Sequence, residues 1–332
     1  MRRTIIALTV LALVWCGWWA LGALVIERGF AAWRSERVSD GWQIEATLTA
    51  SGFPGHWHTT AEQIAVEDPD RAGRLSGDQL TVAVPAYWPF SAVLTLPETP
   101  FTLQLPGETL IVNAPGAVAK ASASAGLAPQ IAAFSGVSGP WQVNTQHGAL
   151  VSAEDLTVTL LEAPRRSGSY QLDAGATAFA PGDVLRATLG LPSGWPRAFE
   201  AAKVALKVKT ERDAAEGAVL LRHLELTALE MVWGPLRVEG GGSLALELDG
   251  TPAGQLRLTI KEWRGFYAHL KTAAVIPPDR AFQADLMLNA LANIGGDPST
   301  LDLTLRFEGG EMSLGTILLG PAPKITFQSA QP

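Results

Sequence analysis

The 332-residue chain has a single cysteine, Cys16, and five histidines. One thiol excludes an intrachain disulfide, so the fold must be held by its own core. Only 17% of residues are charged, against about 25% in an average soluble domain. The balance is acidic, net −7, and no run of basic residues exceeds two. A nucleic-acid partner is therefore not expected, because phosphate binding needs a clustered basic surface. Long helical periodicities are also scarce. What the chain has instead is turn chemistry, with 33 glycines and 22 prolines, and a 47% hydrophobic composition. That combination suits many short strands.

The longest apolar run lies at the start. After Arg2 and Arg3 no charge occurs from Thr4 to Ile26. These residues would rise about 34 Å as a helix, enough to cross a bilayer core. Ala20-Leu21-Gly22 offers a small-x-small site, so the segment is either an uncleaved anchor, the preferred reading, or a cleaved signal. Trp15 directly before Cys16 does not suit the small-residue pocket of lipoprotein processing, which leaves Cys16 as a membrane-buried thiol. The two arginines favour a cytoplasmic N-terminus. The remainder would then be exported, and its lack of cysteine fits a bacterial periplasm. The expected division is an anchor over 1–26, a juxtamembrane helix over 27–40 and a β-rich body over 41–332.

In the body the dominant period is two. Trp42, Ile44, Ala46 and Leu48 alternate with polar residues, and so do Leu80, Val82 and Val84, and Phe101, Leu103 and Leu105. "DLTVTLL", "KVALKVKT" and "LDLTLRF" continue the pattern, which predicts an antiparallel sheet with one apolar face. Within 233–260, Leu244, Leu246 and Leu248 form one row and Leu256, Leu258 and Ile260 another. Parity flips between Ala228 and Leu229, which predicts a β-bulge. Two stretches take a helical period: Trp263, Phe266, Tyr267, Leu270 and Ala274 share one face, and a second helix is predicted between Pro278 and Gly295. "RVEGGGSLAL" and "RFEGGEMSLG" resemble each other, through either duplicated hairpins or shared turn chemistry, the latter preferred.

Chemistry-bearing residues are sparse. His56 and His58 have the spacing of two ligands on one side of a strand, with Glu62 close behind, but a metal needs a third and usually a fourth donor. The other histidines are scattered singly, so neither a metal nor a cofactor is expected. No G-x-S-x-G elbow or S-x-x-K nucleophile occurs in a suitable setting. The carboxylates Glu154 and Asp155, and Asp68 and Asp70, lie beside turn residues, where solvated acids are ordinary. "GGDPST" at 295–300 lacks a strand–glycine–helix phosphate setting. Eight tryptophans lie outside the anchor and can close an apolar core or line a groove for a lipid. No enzymatic activity is expected.

"SGFPG", "VPAYWPFSAVLTLP", "WGPLRVEGGGSLALELDGTPAGQLRL" and "LDLTLRFEGGEMSLGTILLGPAP", together with the single N-terminal span, resemble an alphaproteobacterial envelope family catalogued as domain of unknown function 2125. In architecture the chain is more distantly similar to AsmA-type envelope proteins, whose grooved sheets are linked to lipid handling. The resemblance implies no catalytic residues. The expected fold is mainly β, a long curved antiparallel sheet with two C-terminal helices on its apolar face and an N-terminal transmembrane helix. The expected role is a single-pass inner-membrane protein, held by residues 4–26, that carries a lipid-like ligand. Its candidate apolar face is Leu244, Leu246, Leu248, Leu256, Leu258, Ile260, Trp263 and Phe266. The alternative is a scaffold that docks another envelope component through its β body.

Overall fold

A computed structural model describes residues 2–69, 73–124, 131–163, 168–188, 190–191, 194–212, 219–272, 278–315 and 317–325. Ala274 and Asp70 lie outside these residues. The chain divides into two compact units, Met1–Gly148 and Ala149–Pro332.

The first unit opens with α1 (Arg2–Ser39), one uninterrupted helix in which the anchor and the juxtamembrane segment are continuous. Within Thr9–Ser39, 18 residues reach a mean hydropathy of 2.0 and none is buried by the protein, so this helix is long and apolar enough to cross a membrane. Three strands follow as a meander: β1 (Gln43–Ser51), β2 (His56–Asp68) and β3 (Gly73–Pro85). At β3 the sheet forks. Thr81–Ala83 pair with β4 (Ser91–Thr95), while Arg74–Ser76 pair with β5 (Phe101–Leu105). One branch continues through β5 to β6 (Glu108–Asn113) and then, past β7 and β8 in sequence, to β9 (Trp141–Thr145). The other runs from β4 to β7 (Val118–Ala123) and β8 (Ile131–Ser138).

The second unit begins with β10 (Gly148–Ala153), β11 (Leu156–Glu162) and β12 (Ser169–Ala176). A short strand, β13 (Ala180–Pro181), and one helical turn, α2 (Asp183–Thr188), lead into the long strands. These are β14 (Ala201–Arg212), β15 (Val219–Trp233), β16 (Leu236–Leu246) and β17 (Pro252–Lys261). Two helices, α3 (Trp263–Thr272) and α4 (Pro278–Ile294), precede β18 (Thr300–Glu308), β19 (Glu311–Leu314) and β20 (Ile317–Pro321). The antiparallel order is β11-β12-β14-β15-β16-β17-β18-β19-β20, with α3 and α4 inserted between β17 and β18. The mainly β architecture is the one expected from the alternation, and the two C-terminal helices are those expected from the helical periods after it.

Register explains how one face stays apolar. The predicted bulge is present: Leu226 pairs with Gly242 and Leu229 with Gly240, so Thr227 and Ala228 together face the single residue Gly241 of β16. That extra length cancels the parity flip and keeps Leu224, Leu226, Leu229, Met231 and Trp233 on one side. Opposite the bulge sits Gly240-Gly241-Gly242. These glycines lie in mid-strand, whereas the similar Glu-Gly-Gly at 308–310 forms a true turn, with φ of 60° and 78° at Gly309 and Gly310. The two motifs thus share composition and differ in conformation. Gly242 has φ 147°, and a Cβ there would stand 2.3 Å from Gln255 O, so only glycine lets β17 approach.

The other face is polar and laced with exposed ion pairs: Lys203–Glu230 at 3.8 Å, Lys207–Glu225 at 3.3 Å and Lys261–Glu239 at 3.0 Å. Such pairs contribute roughly 0–1 kcal/mol each, so their main effect is to set which face meets water.

Candidate functional site

Residues opposite one another in an antiparallel ladder share a face, which extends the leucine rows of β16 and β17 across the second unit. Leu256, Leu258 and Ile260 stand opposite Leu305, Leu303 and Leu301 of β18. On β16 their partners are Gly242, Gly240 and Val238, while Leu244 faces Gly254 and Leu246 faces Pro252. The two leucine rows therefore do not abut; each meets a glycine, a proline or a valine. Leu224, Leu226 and Leu229 of β15 carry the face onward to Val208, Leu206 and Val204 of β14, then to Tyr170, Leu172 and Ala174 of β12. Six strands from β12 to β18, at about 4.8 Å spacing, make an apolar strip about 24 Å across.

Burial along this strip is uneven. One end is closed by a cluster in which Trp195, Phe199, Trp233 and Leu236 are buried and Phe266 of α3 is packed against them. Phe199 stacks on Trp233 with ring centroids 4.4 Å apart, and Trp195 meets Phe266 at 5.9 Å. Buried Arg186 of α2 donates to Trp195 O and Pro196 O, both at 3.1 Å, and fixes the loop that carries Trp195. Trp233 Nε1 also donates to Pro196 O, at 2.8 Å. The Trp195 indole nitrogen is buried with no acceptor among the described residues.

Beside this cluster, α3 and α4 cover the far end of β17 and β18. Trp263, Ala292 and Leu301 are buried there, with Ile260, Tyr267, Leu288, Leu291 and Leu303 against them. Lys271 Nζ bonds both oxygens of Asp285, at 2.9 and 3.0 Å, and clasps α3 to α4. The Lys271 ammonium holds the Asp285 carboxyl below the usual carboxylate range. Partial burial, aided by the neighbouring Asp285 carboxylate, pushes the Tyr267 phenol up. At the opposite end Leu244, Leu246, Phe307 and Leu314 are buried. Between the two ends Val204, Leu206, Leu224, Leu226, Leu229, Leu256, Leu258 and Leu305 are only half-buried.

Of the eight residues expected to form the face, seven lie on it or on the helix that caps it. Leu248 does not. It sits in the turn after β16, closed by Glu247 N to Thr251 O at 3.0 Å, and is 74% exposed. Alternation continues through Leu248 in the sequence, but the strand ends at Leu246, where the turn takes over. The rows on β14, β15 and β18 that complete the face were missed as members of it. Their parity was readable, whereas register, which decides what stands beside what, is set by bulges and glycines.

His56 and His58 do share one side of β2, with ring centroids 5.6 Å apart, and His56 also meets Tyr87 at 6.3 Å. Among the described residues no group of three His, Cys, Asp or Glu could hold a metal ion. Asp155 accepts a hydrogen bond from Thr177 N at 2.8 Å, a turn-stabilising role. Asp297 does the same in "GGDPST", bonding Ser299 N and Oγ and Thr300 Oγ1, and these bonds hold its carboxyl below the usual range. The side chains along the strip are aliphatic and aromatic; what such an arrangement can do is bury hydrocarbon.

Comparison of the sequence with curated proteins finds no match. A family model described as an uncharacterized protein conserved in bacteria, DUF2125, matches residues 19–323, which takes in the second half of α1 and nearly all that follows it in both units. The chain belongs to the DUF2125 family.

Proposed function

We propose that this is a non-enzymatic envelope protein, held in the inner membrane by α1 with its body in the periplasm, that carries a lipid-like ligand on the apolar face of the second unit. The observation that carries this reading is the half-buried middle of that face, from Leu206 and Leu226 to Leu258 and Leu305, between two closed ends. A packed core would bury these leucines as fully as it buries Leu236 or Leu244. An acyl chain laid across them gains about 0.8 kcal/mol per buried methylene, so ten fully buried methylenes contribute roughly 8 kcal/mol before the cost of association and of ordering the chain.

The test is native mass spectrometry of the full-length protein, wild type beside a Leu226→Asp/Leu258→Asp variant. Annular lipid on α1 is common to both, so a stoichiometric lipid retained only by the wild type supports the reading. Equal lipid on both would refute it.

A docking role is favoured by a different feature. In β20, Ile317, Leu318 and Leu319 are 40%, 59% and 47% exposed on a strand paired only with β19 among the described residues. An apolar strand edge of this kind can accept a strand from another protein. On that reading Leu318→Lys abolishes recovery of a partner while leaving bound lipid unchanged.

A further inference from the structure

In the first unit, residues 15–22 of α1 are docked onto two loops of the sheet and the first residues of β2. Trp15 Nε1 donates to Pro54 O at 3.0 Å, Trp18 Nε1 to Ala86 O at 2.9 Å and Trp19 Nε1 to His56 O at 2.9 Å. Trp57 Nε1 donates back to Trp19 O at 2.9 Å. Its ring lies against Gly22 so closely that a Cβ there would stand 2.0 Å from it. The loops are 52–55, between β1 and β2, and 86–90, between β3 and β4. Neither contains an Asp, Glu, Lys or Arg. Both present aromatic side chains outward: Phe53 is 54% exposed, Tyr87 69% and Trp88 51%.

Helix length then fixes where these loops sit, given the reading of α1 as a membrane span, on which this inference rests. Thr4–Val14, the apolar stretch before the first docked tryptophan, rises only about 17 Å, against a hydrocarbon core of about 30 Å. The span cannot be completed without residues 15–22. Loops bonded directly to those residues share their depth. We propose that loops 52–55 and 86–90 are inserted into the same bilayer as α1, below the headgroups of the leaflet nearest the body, with Phe53, Tyr87 and Trp88 in the upper part of its acyl region.

Three features fit that occupant. Large aromatic rings are favourable just below the headgroups, where their apolar bodies meet acyl chains and the Trp and Tyr polar tips can reach outward. A lipid setting tolerates loop backbone only where its polar groups are satisfied, and the indole N–H groups of Trp15 and Trp18 cap a carbonyl in each loop, Pro54 O and Ala86 O. Absence of charge on both loops avoids the cost of carrying an ion into the hydrocarbon edge. The first unit would thus sit on the membrane through two aromatic feet beside its helix, which restricts how far it can tilt away.

The test uses the full-length protein in phosphatidylethanolamine/phosphatidylglycerol vesicles. In a Cys16→Ser background, a nitroxide is placed in turn at Tyr87→Cys, Trp88→Cys and Leu11→Cys, the last reporting on the span itself. Accessibility to oxygen is compared with accessibility to a water-soluble nickel chelate. The expected result is a several-fold preference for oxygen at 87, at 88 and at 11, and the two loop positions serve as independent readings should one variant fold poorly. Preference for oxygen at 11 with preference for chelate at 87 and 88 overturns the insertion and leaves the span intact. Preference for chelate at 11 overturns the span and the insertion with it.

Discussion

At Gly242 a hydrogen in place of a methyl group decides whether β16 and β17 can pair. Its φ of 147° and the 2.3 Å approach of Gln255 O leave no room for a side chain. Gly242→Ala is therefore expected to destabilise the protein by about 2 kcal/mol or more. Gly241→Ala, whose Cβ would meet Leu226 O at 3.3 Å without a left-handed φ, should cost less. Denaturant titration of the full-length protein compares the two, and equal costs would remove the geometric argument. A second contrast lies in the aromatic cluster. Trp233 donates to Pro196 O, while Trp195 Nε1 has no acceptor among the described residues. Both lose ring area on substitution by Phe, but only Trp233→Phe loses a hydrogen bond. It should cost about 1 kcal/mol more than Trp195→Phe, read from the same titrations.

Among elements, the helical pair shows what a sequence discloses and what it withholds. The periodicity of Trp263, Phe266 and Tyr267 and the Pro278 start placed α3 and α4 well, because helix faces and caps are local properties. The clasp from Lys271 to Asp285 was not readable, since it depends on how two helices cross. That clasp has a pH signature. Because the folded carboxyl of Asp285 is held below its ordinary value of 3.8, its stabilising contribution is complete above that pH and is lost as pH falls through the lowered value. Amide hydrogen exchange in α3 and α4 should therefore accelerate as pH drops below 3.8, after correction for intrinsic rates. In Asp285→Asn that acid-dependent increment should be absent.

The strands tell a similar story. Alternation located the long members of the sheet and the bulge at Ala228, and it assigned each residue a parity. It could not say that Gly240 and Gly242 would stand opposite Leu258 and Leu256, nor that Leu248 would leave the row for a turn. Parity belongs to one strand, while register belongs to a pair. Triglycine at 240–242 has the composition of a turn, yet it lies in mid-strand because the facing bulge on β15 requires a thin, sharply twisted partner.

For the molecule as a whole, a helix able to cross a membrane and a sheet with one apolar face were both legible in the sequence. The docking of Trp15, Trp18 and Trp19 on backbone carbonyls 37 to 68 residues away was not, because indole donors carry no sequence mark of their acceptors. On the proposed reading, the half-buried face between the aromatic cluster and Phe307 holds a lipid-like ligand. Site-specific photocrosslinking tests it most directly, with a benzophenone side chain at Leu258 on the apolar face or at neighbouring Arg257 on the polar one. Lipid-mass adducts are expected from position 258 and none from 257. Adducts absent at 258, or equal at the two positions, would contradict it.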